Sequence, residues 1–126
     1  MASGGLKYTK GHEWLKLDDE EAVIGITDHA QSELGDITFI ELPQKGKQVK
    51  RGEGIATIES VKAASDVYAP VSGEIIRVNS DLEDAPETVN QSACEAGWIC
   101  KIKIADISEV DDLMDIAEYE EYLTTL

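Results

Sequence analysis

The stretch VKRGEGIATIESVKAASDVYAPVSGEI, residues 49–75, reads as short β-strands separated by turns. Gly52 and Gly54 mark its first turn, and the apolar runs IATI and DVYA follow, with the segment ESVKA between them. Lys62 therefore falls at the bend that joins two predicted strands. Most lysines in proteins are simply solvated, but a lysine at the tip of a strand pair also offers its amine to a second protein with little obstruction. This position suits a lysine that another enzyme modifies.

Outside this stretch, the apolar pattern is again mostly that of β-strands. HEWLKL (12–17) and AVIGIT (22–27) flank an acidic loop and predict a hairpin, and ITFIEL (37–42) predicts a further strand. WICKIKI (98–104) alternates strictly between apolar and other residues. Its apolar face is predicted to hold Trp98, Cys100, Ile102 and Ile104. Together these segments predict a mainly β fold.

Two segments carry helical signals instead. Residues 28–34 can form a short helix in which Asp28 caps the first turn and Gly35 ends the last one. Near the C-terminus, Ser108 offers a helix start, and apolar residues then recur at helical spacing. The sequence predicts C-terminal helices near residues 109–123.

Length and charge restrict the domain organisation and the choice of partner. The 126 residues, 42% of them hydrophobic, predict one domain over 1–126, with a core at about 6–105 and a helical extension over 106–126. The net charge of −15 disfavours binding to nucleic acid or to an anionic membrane surface. Such a charge steers a protein toward basic docking faces on its partners, and it also serves solubility. There is no run of 18 apolar residues that would predict a membrane span.

The sequence carries few of the residue patterns that support catalysis or metal binding. Cys94 and Cys100 are not spaced as a CxxC pair, and only His12 and His29 could join them as metal ligands. Both cysteines are expected to be reduced thiols in a reducing compartment, although the sequence leaves a disulfide between them open. No local motif for nucleophilic catalysis and no phosphate-binding glycine loop is recognisable. The inventory for catalysis is therefore thin, although catalytic groups can also assemble from distant positions in the sequence.

Several segments, in order along nearly the whole chain, resemble the H proteins of the glycine cleavage system. They are LKYTKGHEW (6–14), GITDHAQSELGDI (25–37), FIELP (39–43), the opening stretch 49–75, VN (89–90) and GWICKIK (97–103). The run ESVKA followed by SDVYAPVSGE is the most specific of these. The resemblance implies a lipoyl/biotinyl-type hammerhead, which is a flattened, barrel-like sandwich of two packed antiparallel sheets.

The resemblance also implies a cofactor and a set of partners. Lipoic acid would be joined in amide linkage to Lys62, by a lipoylating enzyme that reads the hairpin residues Glu59, Ser60, Val61 and Ala63. The lipoyl arm would accept an aminomethyl group from a pyridoxal-phosphate glycine decarboxylase and deliver it to a tetrahydrofolate-dependent aminomethyltransferase. Dihydrolipoyl dehydrogenase would then reoxidise it. The chain would act as a monomeric, non-catalytic carrier, in the bacterial cytoplasm or, after removal of a presequence, in the mitochondrial matrix.

A surface cleft for the loaded arm is a further implication of the resemblance. The aminomethyl group can be lost to water as formaldehyde, so a cleft that excludes water and offers a carboxylate to the ammonium would protect it. The matching positions here are Glu13 and Asp66. Some relatives have a histidine where this chain has Glu33, so no role in the cleft is carried over to Glu33.

Four other functions remain open at this point. Biotin carriers share the hammerhead, but they usually place methionine on both sides of the lysine, where this chain has Val61 and Ala63. A lipoyl domain of an oxo-acid dehydrogenase would lack the HEW and GWICKIK segments. A lipoyl relay or donor protein for other lipoylated enzymes, or a regulatory binding module, would suit the residues around Lys62 equally well.

Overall fold

A computed structural model describes residues 6–126, and its strands form two antiparallel sheets. The larger sheet has the order β1-β2-β3-β9-β8-β5 and the smaller one has the order β4-β6-β7. The strands are β1 (Leu6–Tyr8), β2 (Glu13–Asp18), β3 (Glu21–Ile26), β4 (Ile37–Glu41), β5 (Gln48–Val49), β6 (Gly54–Ser60), β7 (Ala64–Tyr68), β8 (Gly73–Val78) and β9 (Cys100–Ile104). The chain is thus mainly β with two antiparallel sheets, as the sequence predicts.

The main core lies between the two sheets. Alternate residues of a strand point to opposite faces, and the inward-facing ones here are nearly all aliphatic. Those that are least exposed include Leu15, Ile24, Ile40, Ile58, Ile75 and Ile102. Burying one such side chain stabilises the fold by roughly 1.5–3 kcal/mol. This core supports the smaller sheet and the β6–β7 hairpin that projects from it.

A second apolar cluster lies on the other face of the large sheet. It contains Leu6, Tyr8, Trp14 and Tyr119, and Trp14 alternates along β2 with the core residue Leu15. The rings of Tyr8 and Tyr119 stack with their centroids 4.5 Å apart. Helix α4 (Ile116–Leu123) is held against β1 through this cluster. The Trp14 ring lies directly over Gly25 on β3, where a Cβ would be 2.5 Å from the ring, so this packing requires glycine.

The predicted helices are present, but two of their caps differ from the prediction. Helix α1 spans Asp28–Leu34, as predicted, yet its cap is Thr27, whose side-chain oxygen accepts the Ala30 N–H. Thr27 has the extended backbone of an N-cap, whereas Asp28 is already helical. At the C-terminus a 3-10 helix spans Ile107–Asp112, and it is capped by Asp106 rather than by Ser108. α4 then begins with a capping box.

The segment between β8 and β9 contains two one-turn helices. These are α2 (Asp81–Asp84) and α3 (Thr88–Gln91), and each buries a single apolar residue, Leu82 or Val89. Trp98 also departs from the prediction. It precedes β9 and packs with the second cluster, while Cys100 and Ile102 face the main core. None of the helices in residues 6–126 has both the length and the apolar character needed to cross a membrane.

Candidate functional site

Lys62 lies at the tip of the β6–β7 hairpin, within a turn that is closed by its neighbours. The Ser60 N–H donates to the Ala63 carbonyl at 2.8 Å, and the Ala63 N–H donates to the Ser60 hydroxyl at 3.2 Å. The Val61 N–H donates to the carbonyl of Asp36, between α1 and β4, at 3.1 Å. The tip is therefore bonded to a second part of the fold and is not a free loop.

The side chains of this tip are open to solvent. Lys62 and Ala63 are exposed, and Val61 keeps 72% of its surface exposed although it is apolar. Glu59 points outward from β6, where it lies opposite Phe39 and Ala64 on the two neighbouring strands. The structure thus brings together the four residues of the predicted recognition hairpin around one accessible amine.

The stem of Lys62 leans toward the end of α1. Gly35 ends this helix with φ of +79°, a backbone conformation that glycine adopts without strain. A Cβ on Gly35 would lie 3.5 Å from the Cε atom of Lys62. The lysine therefore runs over the C-terminal end of the helix before its amine reaches solvent.

Asn90, in α3, holds the segment on which the tip rests. Its amide nitrogen donates to the Gly35 carbonyl at 2.8 Å and to the Gln31 side chain at 2.9 Å. Its amide oxygen accepts the Ile37 N–H at 2.9 Å. These bonds fix the residues on either side of Asp36, whose carbonyl binds the hairpin tip. Residue patterns predict no role for Asn90, although it lies in the VN segment that resembles the family.

A groove of about 640 Å³ runs beside the end of α1 that Lys62 approaches. Glu33 and Leu34 line it from α1, and Ser65 lines it from the hairpin. The other lining residues are Gly11, His12, His29, Ala30, Leu123 and Leu126. The groove thus combines aliphatic side chains with a few polar ones at the end of α1 that Lys62 approaches.

Glu13 lies immediately behind the wall of this groove and is 4% exposed. One carboxylate oxygen accepts a hydrogen bond from the Thr9 hydroxyl, and the other accepts the Tyr68 N–H at 3.1 Å. Gly11, which lines the groove, lies against this carboxylate, because a Cβ on Gly11 would lie 2.9 Å from a Glu13 oxygen. The absence of a side chain at Gly11 leaves the carboxylate close to the groove.

His12 forms part of the groove wall with a left-handed backbone, φ of 69°. Its Nδ1 atom lies 2.8 Å from the Tyr119 hydroxyl, which is in turn 2.8 Å from the Thr27 hydroxyl. Its ring is 4.5 Å from that of His29. Burial lowers the pKa of His12, and so does the neighbouring His29, while the carboxylate of Glu33 opposes the shift. His29 also lines this groove, next to His12.

Asp66 is placed elsewhere. It lies on the outer face of β7, where it accepts a hydrogen bond from the Thr57 hydroxyl at 3.1 Å. It lines a separate pocket of about 370 Å³ that also includes Glu41 and Pro43. Ser65, its neighbour in sequence, is the β7 residue that lines the larger groove. The two predicted cleft acids, Glu13 and Asp66, are therefore not brought together.

The two cysteines carry free thiols in different surroundings. Burial raises the pKa of Cys100 to about 12, so its thiol stays protonated and unreactive at neutral pH. Burial also raises the pKa of the half-buried Cys94. Among residues 6–126 no group of three or more His, Cys, Asp or Glu side chains is arranged to hold a metal ion.

Comparison with known proteins agrees with this geometry. The family model for the glycine cleavage H-protein matches residues 6–126. The chain belongs to this family. It is 52% identical to a glycine cleavage system H protein of Parvibaculum lavamentivorans, with 96% of this chain and 97% of the relative covered. It is 54% identical to that of Caulobacter vibrioides, with 96% and 100% covered.

A solved structure supports the same assignment. The crystal structure of a glycine cleavage system H protein from Mycobacterium marinum matches with a TM-score of 0.89 at 34% identity, covering 96% of this chain and 98% of that one. Family membership makes the chain a lipoyl carrier of the glycine cleavage system, with the system's other enzymes as its partners.

Proposed function

We propose that Lys62 is the residue to which lipoic acid is joined, and that the chain itself catalyses no step of glycine cleavage. The observation that carries this proposal is the exposed Lys62 at a hairpin tip bonded to Asp36. When bound, the lipoyl group supplies a redox-active disulfide that accepts and releases a one-carbon amine. Amide formation removes the positive charge of the lysine, so no charge on the side chain opposes its packing against apolar groups.

The residues beside Lys62 fit such an arm. Leu34, Leu123 and Leu126 offer aliphatic contacts for a hydrocarbon chain along the groove, beginning next to Gly35. Contacts of this kind exclude water from whatever the end of the arm carries. At the other end, Gly11 leaves the Glu13 carboxylate close enough to attract an ammonium group. We assign Glu13 that role, while a role of Asp66 in the same cleft stays a prediction.

The lipoylating enzyme would recognise the hairpin, and the partner enzymes of glycine cleavage would bind the acidic surface. We propose that Glu59, Ser60, Val61 and Ala63 are read by that enzyme. The partners would be the pyridoxal-phosphate glycine decarboxylase, the tetrahydrofolate-dependent aminomethyltransferase and dihydrolipoyl dehydrogenase. We further propose that the chain acts as a monomer. Its relatives named above come from bacteria, and we propose the bacterial cytoplasm as its compartment.

Replacement of the lysine tests the attachment site. Lys62→Arg keeps the charge and most of the length of the side chain but cannot form the amide. After incubation with a lipoylating enzyme, the unmodified sequence should gain the mass of one lipoyl group, and Lys62→Arg should gain nothing. Lys103→Arg is the matched control, because Lys103 is an exposed lysine outside the hairpin, and it should be lipoylated normally. Peptide mapping that placed the group on another lysine would contradict the assignment.

Reconstituted glycine cleavage separates the carrier role from lipoyl donation. The lipoylated chain should support glycine decarboxylation with the three partner enzymes, whereas the Lys62→Arg chain should support none. If the lipoylated chain passed its lipoyl group to other proteins and supported no decarboxylation, the donor function would replace the carrier function.

A further inference from the structure

Three cationic side chains lie in one row across the outer face of the large sheet. Lys16 on β2 is opposite Val23 on β3, Val23 is opposite Lys101 on β9, and Lys101 is opposite Arg77 on β8. Residues that are opposite each other across a sheet point to the same face. With strands about 4.8 Å apart, the row from Lys16 to Arg77 spans about 14 Å. This is the face that carries the second apolar cluster, away from the main core.

The charges of this row are not neutralised within the described part of the chain. Among residues 6–126, no acidic oxygen lies within 4.0 Å of Lys16, Lys101 or Arg77, although the chain has 26 acidic residues. Directly opposed like charges, such as Lys101 and Arg77, destabilise a sheet. The next row along β9 is different, since Lys103 lies between Glu21 and Glu74. The row is thus a positively charged strip on a protein whose net charge is strongly negative.

A groove of about 470 Å³ runs over this row. Trp14 and Trp98 line it together with Val23, and Glu95 is the acidic residue among its lining. Trp14 is only 1% exposed and its indole N–H donates to the Ala93 carbonyl at 2.9 Å, so it forms the floor of the groove. The half-buried Trp98 provides the apolar surface that a bound segment can contact. Tryptophan and arginine are the residues that most often dominate binding energy at protein interfaces.

We propose that this groove, the Trp14–Trp98 groove, docks an acidic segment of a partner protein that also carries an aromatic or aliphatic side chain. Carboxylates of the segment would pair with the cationic row, and the apolar side chain would contact Trp98 above the buried Trp14. About four residues of extended chain cover 14 Å, which matches the row. Nucleic acid is disfavoured as the occupant, because the net charge of −15 repels it at longer range.

The site is separate from the lipoyl arm. Neither Lys62 nor any other residue of the hairpin lines the Trp14–Trp98 groove. A partner held there would therefore stay bound while the arm moves between its own groove and an active site. The proposal does not depend on which lysine is lipoylated, so it can be tested on the lipoylated and the unlipoylated chain alike.

The two tryptophans provide a direct measurement. They are the only two in the chain, and both line the groove. The probe is the peptide EEFEE with blocked ends, which has no tryptophan of its own. It should change the tryptophan emission saturably, and the affinity should fall as salt is raised, since the contacts are ionic. The peptides EESEE and KKFKK, which lack the aromatic or the acidic part, should bind at least tenfold more weakly.

Matched variants locate the binding. Arg77→Gln combined with Lys101→Gln should weaken EEFEE binding tenfold or more, whereas Lys103→Gln, on the same strand but outside the groove, should change it less than twofold. Circular dichroism should show that both variants fold as the unmodified chain does. Equal weakening by Lys103→Gln would mean that only net charge matters and would overturn the proposal. An unsaturable response of the unmodified chain, or an equal response to inorganic phosphate, would also overturn it.

Discussion

Glu13 supports the fold and, in our proposal, also attracts the ammonium of the loaded arm, and replacement by glutamine or by alanine should distinguish the two roles. Its buried carboxylate accepts hydrogen bonds from the Thr9 hydroxyl and the Tyr68 N–H. Alanine leaves both donors without their partner. A hydrogen bond to a charged group contributes about 1.5–3 kcal/mol, so Glu13→Ala should lower the free energy of unfolding by roughly 3 kcal/mol or more. Small domains are stable by about 5–15 kcal/mol, so the variant should still fold.

Glu13→Gln should retain most of this stability while losing the charge. The amide oxygen can accept the Tyr68 N–H, and the amide nitrogen can donate to the Thr9 hydroxyl. We expect a loss of about 1 kcal/mol, measured by urea denaturation with tryptophan fluorescence. The attraction between a carboxylate and the ammonium at the end of a loaded arm is nevertheless lost. That loss of about 1.5 kcal/mol corresponds to roughly tenfold in rate.

The assay is formaldehyde release from the loaded, lipoylated chain in the absence of the aminomethyltransferase. Glu13→Gln should release formaldehyde about tenfold faster than the unmodified chain, with lipoylation unchanged because the hairpin is untouched. Equal release rates would show that Glu13 serves the fold alone and that aliphatic burial protects the arm. Asp66→Asn in the same assay tests the other predicted acid. An unchanged rate would agree with its position in a separate pocket and would remove it from the cleft.

Three further measurements follow from the groove, the hairpin support and the surface charge. Because the pKa of His12 is lowered in the folded chain, the unfolded chain binds the proton first, so the free energy of unfolding should fall as pH drops from about 7 toward 5. His12→Asn, which tolerates the left-handed backbone, should flatten this dependence in urea titrations. Asn90→Ala should lower the free energy of unfolding by about 2 kcal/mol. It should also slow lipoylation of Lys62, as followed by intact mass. Lipoylation at the rate of the unmodified chain would show that the hairpin tip needs no support from Asn90. Association with the aminomethyltransferase should slow as salt rises above about 0.1 M; a flat response would leave the net charge of −15 to solubility alone.

Local patterns were sufficient to predict much of the fold. The hairpin of β2 and β3, the bounds of α1 and the strands around Lys62 each follow from a clear apolar period or a turn signal within a few residues. The cap of α1 was misassigned because Thr27 and Asp28 are both good capping residues, and the backbone alone decides between them. The one-turn helices α2 and α3 are too short to show any period. Trp98 was misplaced because β9 begins only two residues later, so strand alternation does not reach it.

The groove beside Lys62 could not be predicted from residue patterns, because its wall comes from four distant parts of the chain. Gly11, Glu33, Ser65 and Leu126 meet only through sheet pairing and the docking of α4. Resemblance to a family pointed to Glu13, but not to the Thr9 and Tyr68 contacts that bury it. Asn90 gives no signal of its own, since a half-buried asparagine that binds three backbone or side-chain groups is indistinguishable in sequence from a turn residue.

The bond between the Val61 N–H and the Asp36 carbonyl has a consequence for the order of events in the cell. An enzyme that recognised the sequence ESVKA without its folded conformation could modify a nascent or misfolded chain. Here the shape of that segment is complete only after α1, β4 and α3 have assembled beneath it, since Asn90 fixes the residues beside Asp36. If Lys62 carries the arm as proposed, its attachment would act as a checkpoint for folding, because chains that lack this support would present a poorly shaped substrate. Molecules that enter the cycle would be selected, at the moment of modification, for having finished their fold.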